Sequence, residues 1–155
     1  MVAVETPMQP HSTHVDQRFR KVERLRRRDD FQRVFAHRCS GGDEVMVVYA
    51  RPNDLAWSRL GLSVAKHLGR AVDRNGIRRR IREAFRRHKR EIPRGFDYVC
   101  VAKSGAAERS ADVSASLCKL AASAVRRCRR RERTAPPASD RSTTTPAPNR
   151  RSRRS

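Results

Sequence analysis

Residues 71–91 read AVDRNGIRRRIREAFRRHKRE, and they set the frame for the rest of the chain. Nine Arg and Lys stand here against three acids, Asp73, Glu83 and Glu91. With Asn75 as origin and about 100° per residue, Arg79, Arg82 and Arg86 fall within roughly 40° of it on a helix. Ile77, Ile81, Ala84, Phe85 and His88 gather on the opposite side. The segment therefore reads as an amphipathic helix with an apolar inner face and a guanidinium stripe outside. Arg74 falls near the apolar side, in the first turn, where it can reach past the helix end. Asp73 is the expected N-cap, its carboxylate accepting from orphan backbone N–H groups. An ordinary solvated face mixes signs; this one is overwhelmingly positive. Arginines one turn apart match successive phosphates, each guanidinium offering two donors to one phosphate group.

Composition supports a polyanionic partner. The chain has 155 residues, a formal net charge of +21 and a pI near 11.6, enough length for one compact domain with tails. Residues 126–155 form a second basic block of eleven Arg against Glu132 and Asp140, but Pro, Ser and Thr replace apolar residues through most of it. It reads as a disordered tail from residue 131 to 155, and residues 1–20, polar with Pro7 and Pro10, read likewise. The folded unit is expected over 21–130. No run suits a membrane span and the start lacks the pattern of a secretory signal. Cys39, Cys100, Cys118 and Cys128 have no CxxC pairing or zinc-ligand spacing, and the five His are scattered. Four reduced thiols in a cytoplasmic protein without a protein-held metal are expected.

Around the basic helix, RDDFQRVFAHR places Phe31, Val34 and Phe35 on one face of a short helix with acids at its start. EVMVVYARP reads as a strand ending at Pro52, and NDLAWS, with Trp57, as a loop. RLGLSVAK alternates, Leu60, Leu62 and Val64 opposite Gly61, Ser63 and Ala65. A strand is expected over about 97–102, then a helix capped by Ser110 with Val113, Leu117, Leu120, Ala121, Ala124 and Val125 at helical spacing. Helix, strands, helix, strand, helix is an α+β order: a small mixed sheet of about four strands with three helices.

GRAVDRNGIRRRIREAF after the strand RLGLSVAK, with RLRRRDDFQRVF before it and DYVCVAKSGA after it, resembles the protein subunit of bacterial ribonuclease P. The resemblance spans about residues 24–125. Gly76 departs from it, giving RNG where the family usually has RNR. Asp73, Met46, in place of a common aromatic, and Arg38, where Gly often follows the first helix, depart as well. The resemblance implies a sheet like the second domain of a ribosomal small-subunit protein, with a left-handed βαβ crossover where the general rule gives a right-handed one. It also implies a division of labour. The RNA subunit, with Mg2+ held mainly by RNA and substrate, cleaves the 5′ leader from precursor tRNA; the protein binds that RNA and the leader, with no catalytic residue or obligate protein partner of its own.

The residues matched to the RNA subunit are Arg74, Asn75, Arg78, Arg79, Arg82 and Arg86. Those matched to a cleft for the single-stranded leader are Phe31, Phe35, Val47, Tyr49 and Lys66, with Arg51 and Arg70 at strand ends nearby. Aromatic faces stack on unpaired bases with little regard to sequence. The alternative is a ribosomal or other structural RNA-binding protein with the same charge and much of the fold. A DNA reader is disfavoured because a strand and KHLG, not a second helix and tight turn, precede the basic helix. A stand-alone nuclease is disfavoured by the absence of clustered acids or histidines.

Overall fold

The computed structural model describes residues 18–135. Three helices, α1 (Arg28–His37), α2 (Ala71–Arg87) and α3 (Val113–Thr134), pack on a four-stranded sheet. Its strands are β1 (Cys39–Gly42), β2 (Met46–Pro52), β3 (Arg59–Ser63) and β4 (Phe96–Ala102), in the order β1-β2-β4-β3. β1–β2 and β2–β4 are antiparallel, while β3 and β4, joined through α2, are parallel. This is the expected α+β class with a mixed sheet.

Alternation along the strands sorts the two faces. Met46, Val48, Ala50, Leu60, Tyr98 and Cys100 turn to one side and form the main core with Ile77, Ile81, Ala84 and Phe85 of α2 and Leu117, Ala121 and Val125 of α3. Met46 is fully buried there, so a flexible thioether fills this part of the core. The other face meets α1, where Val34 and Val99 are both fully buried with Leu25. Three rows cross that face: Ser63–Val101–Val47, Gly61–Val99–Tyr49 and Arg59–Asp97–Arg51. In the last row Asp97, 1% exposed, takes two hydrogen bonds from Arg59 at 2.7 and 2.5 Å and one from Asn53 at 2.9 Å. The buried carboxylate is thus paired and hydrogen-bonded, as burial of a charge requires.

Several local expectations change. β1, reading CSGG, has no β-rich pattern, and its pairing with β2 makes it a strand. The N-cap of α3 is Asp112, not Ser110; its carboxylate accepts from Ala115 N–H at 2.9 Å. The N-cap of α2 is Arg70, and Asp73 sits three residues in, accepting the Arg70 N–H at 3.0 Å. A carboxylate at that position still satisfies an orphan donor and complements the helix dipole. α3 runs through Thr134, beyond the expected boundary at 130; residues 136–155 lie outside the described residues.

The boundary at residue 20 also moves; residues 1–17 lie outside the described residues. Phe19 packs edge-on against Phe85 with ring centroids 5.7 Å apart, and the Arg24 guanidinium lies 5.1 Å from the Phe19 ring. Leu25 N–H donates to the Leu60 carbonyl at 3.0 Å beside a parallel bridge between Arg24 and Leu60. Lys89 donates to Glu23 at 2.7 and 2.8 Å, and to the Arg18 carbonyl, anchoring the segment to the end of α2. Residues 18–25 are therefore laid along β3 next to α2.

Candidate nucleic-acid interface

The charges of α2 divide by what they touch. Arg80 reaches back to the carbonyls of Ala106 and Glu108, the latter at 2.8 Å, and so holds the turn that follows β4. Arg86 binds both oxygens of Glu83, at 2.8 and 2.6 Å, and Arg87 binds the same carboxylate at 2.8 Å. Those hydrogen bonds hold the Glu83 carboxyl well below its ordinary value, at about 2. Arg86, expected on the RNA face, is thus already engaged by an acid. Arg79 is exposed, beside the start of α3. Asn75 is exposed and accepts from Arg78 at 3.1 Å. Arg74 is half-buried, its Nε enclosed without a hydrogen-bond partner, so it tucks closer to the protein than an outward stripe implies. Gly76 is exposed, and a Cβ built on it meets nothing within 4 Å.

Arg78 and Arg82 point another way. With Arg24 and Arg26 they line a recess between the N-terminal segment, α1 and α2, whose remaining walls are Phe19, Leu25, Phe31, Leu60 and Leu62. Four arginines thus share one recess with five apolar residues. Partial burial, and after it the like charges of Arg24, Arg78 and Arg26, lower the pKa of Arg82. Cations crowded in this way favour a polyanion that spreads negative charge among them.

Phe31 links this recess to the sheet. A Cβ on Gly61 would lie 2.7 Å from the Phe31 ring, so the glycine is what lets α1 settle on β3. Phe35 lies edge-on to Tyr49, centroids 4.9 Å apart at 85°. Phe31, Phe35, Val47 and Tyr49 are half-buried, neither core nor fully exposed. Val47 pairs with Val101 in the row beyond α1, which ends at Ser63; Lys66, exposed, follows three residues later. Val47 and Tyr49 therefore share the sheet face that α1, with Phe31 and Phe35, packs against, while Lys66 lies outside the strands. Arg51 lies in the opposite row beside Asp97, and Arg70 is exposed at the start of α2.

The family model described as Ribonuclease P matches residues 19–126. The chain belongs to the ribonuclease P protein family. It is 43% identical over 90 residues to the ribonuclease P protein component of Thermotoga maritima, covering 58% of this chain and 77% of that protein. It is 42% identical over 101 residues to that of Geobacillus kaustophilus, covering 63% and 83%. Among solved structures, the ribonuclease P protein of Staphylococcus aureus matches with a TM-score of 0.57 at 37% identity, over 61% of this chain and 88% of that one. That of Thermotoga maritima matches with a TM-score of 0.57 at 38% identity, over 63% and 93%. A ribonuclease P protein works with an RNA partner in tRNA processing.

Sequence reasoning placed the RNA face on α2 and did not assign Arg24 and Arg26 to a site. The signal was present in the basic run RLRRR before α1, but nothing local says which of those arginines meets Arg82. The described groups of metal-ligating side chains, His37–Cys39–Cys128 and His88–Glu91–Cys118, both contain thiols. Neither offers the set of oxygen ligands that Mg2+ takes.

Proposed function

We propose that this ribonuclease P protein binds the catalytic RNA subunit through α2 and the recess beneath it, and grips the 5′ leader of precursor tRNA along the open sheet face. The observation that carries this reading is the continuity of Arg24, Arg26, Arg78 and Arg82 with Phe31. Guanidinium groups for phosphates run directly into half-buried aromatic faces suited to unpaired bases. Asn75 and Arg79, exposed on α2, face the RNA subunit; Phe35, Tyr49, Val47 and Lys66 face the leader.

In this reading cleavage of the phosphodiester belongs to the RNA subunit. Mg2+ is held mainly by RNA and substrate, and supplies charge stabilisation at the scissile phosphate. This chain's residues hold the leader in register and offset phosphate repulsion between enzyme and substrate, so the protein matters most when magnesium is limiting. The test is to mix the purified chain with its cognate RNA subunit and precursor tRNA at low magnesium, with rigorously RNA-free protein as the control. Stimulated cleavage at the mature 5′ end is expected only in the mixture. Cleavage by the protein alone, or no stimulation of the RNA, would overturn the assignment.

A further inference from the structure

His37, Cys39 and Cys128 come from three different elements, the end of α1, the start of β1 and the C-terminal part of α3. Their ligand atoms all lie within 4.8 Å of one another. The convergence has a backbone cause. Arg38, between the two near ligands, adopts the left-handed conformation, φ 56° and ψ 21°, which ends the helix and turns the chain sharply into β1. Arg131, one turn beyond Cys128 on α3, donates to the His37 carbonyl at 2.6 Å and holds α3 against that turn. We propose that His37, Cys39 and Cys128 form a site for one thiophilic divalent ion of the Zn2+ class, with solvent completing its coordination.

Two further observations support the site. His37 Nε2 is enclosed without a hydrogen-bond partner, an uncommon state for a buried polar atom and the one a metal bond would relieve. Cys39 and Cys128 are both buried free thiols, at 2% and 0% exposure.

Tetrahedral bonds of about 2.3 Å to sulfur and about 2.0 Å to nitrogen set two ligand atoms about 3.5–3.8 Å apart. Side-chain rotations that draw the ligand atoms together by up to about an ångström close the set. Binding releases the two thiol protons to solvent and leaves the metal bonded to two thiolates and a neutral imidazole. That core is neutral, so Arg51 and Arg131 nearby do not repel it as they would a bare dication. The other cluster, His88–Glu91–Cys118, is weaker: His88 Nδ1 and Glu91 are already hydrogen-bonded to each other at 2.9 Å, and Glu91 is exposed. The proposed ion would staple α3 to the α1–β1 turn, away from the arginine recess.

The test uses the full-length, fully reduced chain titrated with Co2+ and then Zn2+. One equivalent of Co2+ is expected to give thiolate-to-metal charge transfer with tetrahedral d–d absorption, both erased by Zn2+, and Zn2+ is expected to raise Tm. Cys39→Ser, Cys128→Ser and His37→Gln should each weaken Co2+ binding by more than the about 10–100-fold that loss of an outer-shell partner costs. Cys118→Ser should leave the spectrum unchanged. In case a buried Cys→Ser change unfolds the chain, alkylation of the unmutated protein gives a second reading: Zn2+ should slow modification of Cys39 and Cys128. Absence of charge transfer, its survival in folded Cys128→Ser, its loss in Cys118→Ser, or alkylation of Cys39 and Cys128 indifferent to Zn2+ would each overturn the site.

Discussion

Arg82 of α2 and Phe31 of α1 line the same recess, although 51 positions separate them in the chain. The two binding surfaces, helix face and aromatic cleft, therefore share a border, and variants on either side of it should behave differently from variants on it.

Arg79→Ala is expected to weaken binding of the RNA subunit and to leave leader-length dependence unchanged, because Arg79 lies on the α3 side of α2. Arg82→Ala should reduce both. Removing a side chain that pairs with one phosphate should reduce the slope of log K against log salt by roughly 1 unit. Salt-titrated binding of the RNA subunit, followed by binding of long- and short-leader substrates to the assembled enzyme, separates the two. Identical behaviour of the two variants would show that the recess does not join the surfaces.

Tyr49→Ala should spare assembly with the RNA subunit and weaken long-leader substrates by about 1–3 kcal/mol, the value of one base stacked on an aromatic ring. Mature tRNA, which has no leader, should bind as before. Phe35→Ala carries a stability cost too, since Phe35 packs against Tyr49 next to Val34 and Val99, so its Tm must be compared first. Equal loss for mature and precursor tRNA with Tyr49→Ala would place the leader elsewhere.

Gly76→Arg should improve the protein twice over. A side chain there enters open space, and an exposed helix position gains up to about 1 kcal/mol when glycine is replaced by a good helix former. The added guanidinium next to Asn75 should also tighten the RNA subunit and steepen its salt dependence. Thermal unfolding and salt titration read the two gains independently, and a drop in Tm would refute the packing argument.

Glu83→Gln frees Arg86 and Arg87 and removes one negative charge from the basic face. RNA affinity should rise, most at low salt. The wild-type pH response follows from the same ion pairs. A carboxylate whose pKa is depressed to about 2 contributes its ion pairs fully above the unfolded value near 4.5 and loses them as pH falls toward about 2. Because the Glu83 side chain is 44% exposed, solvent screens these pairs, and the change should appear in RNA affinity and in the carboxylate's NMR titration, with little effect on Tm. An NMR midpoint near 4.5 would show that the ion pairs do not persist in solution.

Arg38→Gly tests the cost of a left-handed residue. The conformation disfavours any L side chain by about 1–2 kcal/mol, part of which glycine's greater freedom in the unfolded state offsets. A net gain of up to about 1 kcal/mol is expected in denaturant unfolding. A loss would mean that the Arg38 side chain makes interactions that outweigh the backbone strain.

The amino-acid pattern by itself determined the elements whose signal is local. The period of Ile77, Ile81, Ala84 and Phe85 fixed both the existence and the buried face of α2, because helical spacing is a property of consecutive residues. Alternation marked β3 as a strand, although both of its faces are covered, and the basic run with its flanking blocks was enough to recognise the family. Only the tertiary structure decided which equivalent-looking charges are free. Arg79 and Arg80 are neighbours on one helix, yet one is exposed and the other is spent on the Ala106 and Glu108 carbonyls. It also decided that CSGG is a strand, that Arg24 and Arg26 meet Arg82, and that His37 and Cys39 meet Cys128. Each of those relationships joins residues distant in the chain, set by how strands register and helices pack, and a periodicity read along the backbone carries no record of it.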